Sequence, residues 1–119
     1  MIAGRMVRET DQASVADPVW RTRNAWERLR GLLGRPRLGR DEGLLLSPCH
    51  SIHTIGMGYA IDVVYLSDQG EVLKVCGGLP PLRLSRCRGA AMTLELAAGA
   101  CARHGLEPGQ RLQWSPYET

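Results

Sequence analysis

Ala60-Ile61-Asp62-Val63-Val64-Tyr65-Leu66 decides the fold: it is dense in β-branched residues and too short for an ordinary helix. Ser67-Asp68-Gln69-Gly70 follows with turn chemistry, and Glu71-Val72-Leu73-Lys74-Val75-Cys76 then alternates polar and apolar side chains. The two runs predict a β-hairpin. On the N-terminal side, Gly43-Leu44-Leu45-Leu46 reads as a buried strand ended by Ser47-Pro48, and a further strand is expected over 49–55, before Gly56 and Gly58. Earlier still, a first strand is expected over 3–9. Asp17-Pro18 then reads as an N-cap with proline at the first helical position, opening a helix whose stripe is Ala25, Trp26, Leu29, Leu32 and Leu33 and whose end is Gly34 and Pro36.

On the C-terminal side, Gly77-Gly78 and Pro80-Pro81 predict a bend before a short strand over 82–85. A second helix is expected over 91–104, with Met92, Leu96, Ala97, Ala100, Cys101 and His104 tracing one face and Gly105 stopping it. Pro108-Gly109 fits the centre of a type II turn, and a last strand is expected over 110–114. Strands outnumber helices and are not interleaved with them one for one. The pattern predicts an α+β fold: a compact β-rich domain with a mostly antiparallel curled sheet or small barrel packed by two helices, not a βαβ nucleotide fold.

The chain has 119 residues and 13.1 kDa, enough for a single domain over 1–119 that buries its own core without a metal or disulfide. With 44% hydrophobic and 23% charged residues, disorder and coiled coil are excluded. No apolar run approaches the ~20 residues that span a bilayer, so no membrane span is expected. The N-terminal Met1-Ile2-Ala3-Gly4-Arg5-Met6 lacks a signal-peptide apolar region, which predicts a cytoplasmic location for the chain as given.

The net charge of +3 is too slight to imply a polyanion partner, yet the basic residues are fourteen arginines and one lysine, Lys74. Arg21, Arg23, Arg28, Arg30, Arg35, Arg37 and Arg40 crowd one segment. Guanidinium forks suit phosphate and carboxylate, but a solvated helix face explains the run more simply, so nucleic acid is not the expected partner. Cys49, Cys76, Cys87 and Cys101 show neither C-x-x-C pairing nor zinc-site spacing and read as free, small apolar side chains.

Cys49-His50-Ser51-Ile52-His53-Thr54-Ile55-Gly56-Met57 concentrates the reactive groups, and His50, His53, Thr54 and Met57 are candidate pocket residues. On a strand, positions three apart face opposite ways, so His50 and His53 do not make a metal pair. Cys49 and His53 would lie about 13 Å apart, too far for a nucleophile and its base. No metal and no cofactor are expected, since Gly77-Gly78 also lacks phosphate-loop spacing. Asp62, flanked by β-branched residues, must accept hydrogen bonds from a basic group or backbone N–H, or else become neutral. Glu95, read on the second helix near its N-terminus, would be favoured there by the helix dipole.

Arg30-Gly31-Leu32-Leu33-Gly34-Arg35, the Gly43-Leu44-Leu45-Leu46 run, Ile52-His53-Thr54-Ile55-Gly56-Met57 with the 60–66 strand, and Leu94-Glu95-Leu96-Ala97-Ala98-Gly99 with Pro108-Gly109 occur here in one order. Taken together they resemble the uncharacterised prokaryotic family called domain of unknown function one-nine-two, or uncharacterised conserved ACR. That resemblance implies a β-rich α+β domain and no established activity; Gly56 stands where many relatives carry a bulky aromatic. The functional expectation is a small binding or accessory domain for a small-molecule ligand or protein partner, with a pocket near the 49–57 segment, Asp62 and Glu95. The alternatives are a small hydrolase or lyase using His53 with Asp62 or Glu95, and nucleic-acid binding through the arginine-rich first helix.

Overall fold

The computed structural model describes residues 1–117. Its strands are β1 (Ile2–Arg8), β2 (Ser14–Arg21), β3 (Gly43–Leu46), β4 (Ser51–His53), β5 (Ile61–Leu66), β6 (Val72–Leu79), β7 (Leu84–Arg86), β8 (Met92–Ala97) and β9 (Leu112–Pro116). Two short helices, α1 (Ala25–Arg30) and α2 (Ala100–Arg103), complete it. Seven strands form one sheet in the order β6-β5-β8-β3-β2-β1-β9, and β4 pairs with β7 in a separate ribbon. Every pair is antiparallel except β2 with β3, so the sheet is mixed.

The expected hairpin is present: β5 is buried along its whole length and pairs with β6 across the 67–70 turn. The expected barrel is not, because the sheet does not close. Its edge strands approach at one end only, through a bridge between Glu71 and Arg111 and the bonds from Leu112 N–H to Gly70 O and from Val72 N–H to Gln110 O at 2.8 Å, with Gly109 N–H reaching Val72 O at 2.9 Å. Gly70 is required at that meeting point. Its φ is +85°, and a Cβ would stand 2.1 Å from the Leu112 carbonyl oxygen.

Strand alternation divides the buried side chains between two cores. Leu45, Val64, Leu66, Leu94 and Leu96 point to the inner face with Met6, Val19 and Leu112, and α2 caps that side with Ala100 and Cys101. Leu44, Leu46, Ile61, Val63 and Tyr65 point to the outer face, covered by Leu32, Ile52 and neighbouring loop residues. The central strands are therefore apolar on both faces, and their side chains show no clean period of two.

Both helix expectations are corrected. Asp17-Pro18 does not start a helix: it lies inside β2, where one residue of β1, Arg5, faces both of them between the pairs Gly4↔Val19 and Met6↔Ala16. Such a bulge tolerates a proline that has no N–H for the ladder. α1 starts seven residues later, where the Asn24 side chain accepts from the Glu27 N–H at 2.9 Å, and it ends at Gly31, whose φ is +51°. It buries no residue, and Trp26 and Leu29 are 69% and 70% exposed, so α1 does not pack the sheet.

The helix expected over 91–104 is mostly strand. Met92–Ala97 forms β8 between β3 and β5, and only Ala100–Arg103 is helical. Leu94 and Leu96 are spaced for a strand face, and pairing on both edges outweighs local helix propensity. The Pro108-Gly109 turn is as expected, with Gly109 at φ +96° and the Gln110 N–H reaching Glu107 O at 3.3 Å.

Candidate functional site

β8 presents Thr93 and Glu95 to the outer face. In register, Glu95 lies between Leu44 of β3 and Val63 of β5, both outer-core residues. The Thr93 hydroxyl donates to the Cys49 carbonyl at 3.0 Å and the Thr22 hydroxyl accepts from the Ser47 N–H at 3.1 Å, which pins the 47–49 segment against the sheet. β4 follows, and Ile52 turns inward onto the outer core while Ser51 and His53 stay exposed.

A cavity of about 300 Å³ opens between these elements, near the lower end of the roughly 300–1,000 Å³ of small-molecule sites. α1 contributes Arg28 and Leu29, the chain after it Leu32 and Leu33, β4 Ile52 and His53, the following turn Met57, and β8 Glu95. Gly56, at φ +90°, lets the turn approach Leu33: a Cβ there would come within 3.1 Å of its side chain.

Glu95 is the buried ionisable group of this cavity. It is 4% exposed, its Oε2 has no hydrogen-bond partner among the described residues, and burial pushes its carboxyl up from the ordinary 4.5 to about 8. An isolated carboxylate in apolar surroundings is costly, so the group holds its proton at neutral pH. The helix-terminus account of Glu95 is therefore replaced: the residue sits in mid-strand, with no helix dipole to favour its charge.

Asp62 belongs to the other face. In the register of β5 it alternates with Val63, and its oxygens accept from the Gly78 N–H and the Cys101 N–H, both at 2.8 Å. Cys101 is the second residue of α2, so Asp62 satisfies a helix N-terminus from a distance. Burial, with this carboxylate alongside, pushes the Cys101 thiol up to about 12. The sheet thus separates Asp62 from Glu95, and Asp62 does not line the Glu95 cavity.

The other candidates divide. His53 and Met57 line the Glu95 cavity, whereas His50 lines a separate concavity with Arg86 and Arg88. Among the described residues, no three His, Cys, Asp or Glu side chains converge to hold a metal. Thr54 is fully buried and tied elsewhere. Its hydroxyl donates to Pro80 O at 2.7 Å and accepts from the Arg83 N–H at 2.8 Å, holding the turn after β4 to the loop before β7. Thr54→Val keeps the shape and strands the Arg83 N–H. The expected loss is about 2 kcal/mol, read from denaturant midpoints; an unchanged midpoint would show that this staple carries no stability.

Arg28, Leu32, Leu33 and Leu46 are cavity residues that sequence reading assigned to a solvated face or to plain core. No local signal marks them. Four other arginines of that run have partners nearby: Arg30 donates to Leu33 O and Gly34 O, Arg35 to Gly31 O, Arg21 stacks on Trp114 and Arg37 on Tyr59. Among the described residues, no helix is long and apolar enough to cross a membrane.

Two solved structures share the fold. A candidate transcription regulator of Sinorhizobium meliloti 1021 aligns with a TM-score of 0.80 at 21% identity, over 95% of this chain and 92% of its own. A protein of unknown function from Novosphingobium aromaticivorans DSM 12444 aligns with a TM-score of 0.75 at 20% identity, over 94% and 84%. At these identities the likeness is one of fold alone. No curated protein matches the sequence. Residues 6–114 match the model of the family DUF192, described as Uncharacterized ACR, and the chain belongs to that family.

Proposed function

We propose that the chain is a single-domain small-molecule binder whose site is the cavity between α1, β4 and the outer face of β8. One observation carries this reading: Glu95 is a buried carboxyl with an unpartnered oxygen in an otherwise largely apolar cavity. A polar group left unpaired in the interior costs about 1–3 kcal/mol, and a ligand that meets it recovers that cost on binding. The apolar lining from Leu29, Leu32, Leu46 and Ile52 suits the body of a small organic molecule.

Acid–base catalysis is the second reading, reduced now to His53 with Glu95. The two line one cavity, and a carboxyl that keeps its proton at neutral pH is a competent acid. It ranks below binding because His53 is exposed and Asp62 is spent on the opposite face. Nucleic-acid recognition, which the name of the Sinorhizobium neighbour would suggest, has less support, since Arg21, Arg30, Arg35 and Arg37 are engaged within the chain.

A fragment screen followed by methyl and amide NMR tests the proposal. Fragments that bind should shift Ile52, Met57 and the Glu95 amide together, and Ile52→Trp, which fills the cavity, should abolish those shifts. Shifts confined to the His50 and Arg88 concavity, or none at all, would overturn it. Duplex DNA should leave the spectrum unchanged at low salt, where phosphate contacts are strongest.

A further inference from the structure

A buried carboxyl and a guanidinium line the cavity and do not meet. Glu95 brings an unpartnered carboxyl oxygen from β8. Arg28 brings a half-buried guanidinium from α1, whose hydrogen bonding among the described residues is one long contact, Nη1 to the Ser47 carbonyl at 3.5 Å. Most of its five N–H donors are thus free. Arg30, the other cavity arginine, spends its donors on Leu33 O and Gly34 O. No ion pair among the described residues joins Arg28 to Glu95, so the guanidinium nitrogens and the carboxyl oxygens stand more than 4.0 Å apart, and Leu29, Leu32 and Ile52 line the same cavity.

Building on the cavity as a binding site, we infer that its ligand is a small zwitterion with an apolar body, its ammonium at Glu95 and its carboxylate at Arg28. Simple alternatives each leave a group unmet. A fatty acid satisfies the guanidinium and lays alkyl chain against the Glu95 oxygen. An alkylamine satisfies Glu95 but meets Arg28 as a like charge. A neutral hydrocarbon leaves both unpaired. A zwitterion answers both: its ammonium takes the place of the proton on Glu95, which leaves to solvent, and the guanidinium fork grips its carboxylate. Sites that pair a polar group of the ligand discriminate strongly against analogues that lack it.

Calorimetric titration of the intact chain with leucine and ε-aminocaproate, beside their one-headed analogues, is the test. Isocaproate and caproate keep only the carboxylate; isoamylamine and hexylamine keep only the ammonium. At least one zwitterion should bind about tenfold or more tighter than both of its analogues. Glu95→Gln should erase the advantage over the carboxylate analogue, and Arg28→Gln the advantage over the amine. A carboxylate that binds as well as its zwitterion would mean that Glu95 is not engaged, and an equal amine would mean the same of Arg28. Either result overturns the inference while leaving the cavity as a binding site. If none of the six compounds binds but other fragments still shift Ile52 and Met57, the inference alone falls; if nothing shifts them, the proposed function falls with it.

Discussion

Glu95→Gln should make the protein more stable at alkaline pH, by roughly 4 kcal/mol, while changing little near pH ~5. The carboxyl stands at about 8 in the folded chain against an ordinary 4.5, because burial disfavours its charged form. Between those values the unfolded chain has released a proton that the native chain still holds. The stability contributed by the protonated group is therefore full below about 4.5, drains away as pH rises, and is gone above about 8. Glutamine is neutral throughout and does not follow that slope. Urea midpoints of the two proteins across this window give the answer, since every other titrating group cancels in the difference. Parallel curves would mean that Glu95 ionises freely and is not the buried, unpartnered group described above.

Asp62→Asn is the second large effect, and its sign is opposite. Asp62 accepts two backbone N–H bonds at 2.8 Å, one of them buried at the start of α2. An asparagine has one carbonyl oxygen for the two donors, and its amide nitrogen must face the other. Losing a charge-assisted bond and stranding an N–H should cost about 3 kcal/mol. Because Asp62 lies on the inner face, affinity for any ligand in the Glu95 cavity should be unchanged in whatever fraction remains folded. Lost binding with an unaltered denaturant midpoint would invert this assignment and make Asp62 a ligand-site residue.

Local chemistry carried much of the fold in the sequence. The 60–66 run, the turn residues at 67–70 and the Pro108-Gly109 pair act over a few residues, through β-branched shape and the backbone freedom of proline and glycine. The choice facing Asp62, a backbone N–H or basic partner or else neutrality, was equally legible, because a buried carboxyl is either satisfied or keeps its proton. Legibility failed where pairing partners decide. Met92 to His104 has apolar residues at helical spacing, yet β3 and β5 flank its first half and hold it as strand. Asp17-Pro18 has the chemistry of a helix start, yet it sits in a bulge that only the neighbour β1 creates.

The site followed the same division. His53, Met57 and Glu95 were singled out from residue type and come together, while Asp62 and Thr54 were singled out and are hydrogen-bonded outside that cavity. Arg28 could not be found from sequence, since its place in the cavity depends on α1 standing across from β8 rather than on any neighbour in the chain. The sequence by itself determined the family, the β-rich class, the hairpin and the turns at 67–70 and Pro108-Gly109, all of which rest on short-range stereochemistry or on motif order, whereas the bend expected at Gly77-Gly78 is strand within β6. Only the tertiary structure decided that Asp62 and Glu95 point to opposite faces. A shift of one residue in register exchanges the two faces of a strand, and register is set by strands far away in the chain.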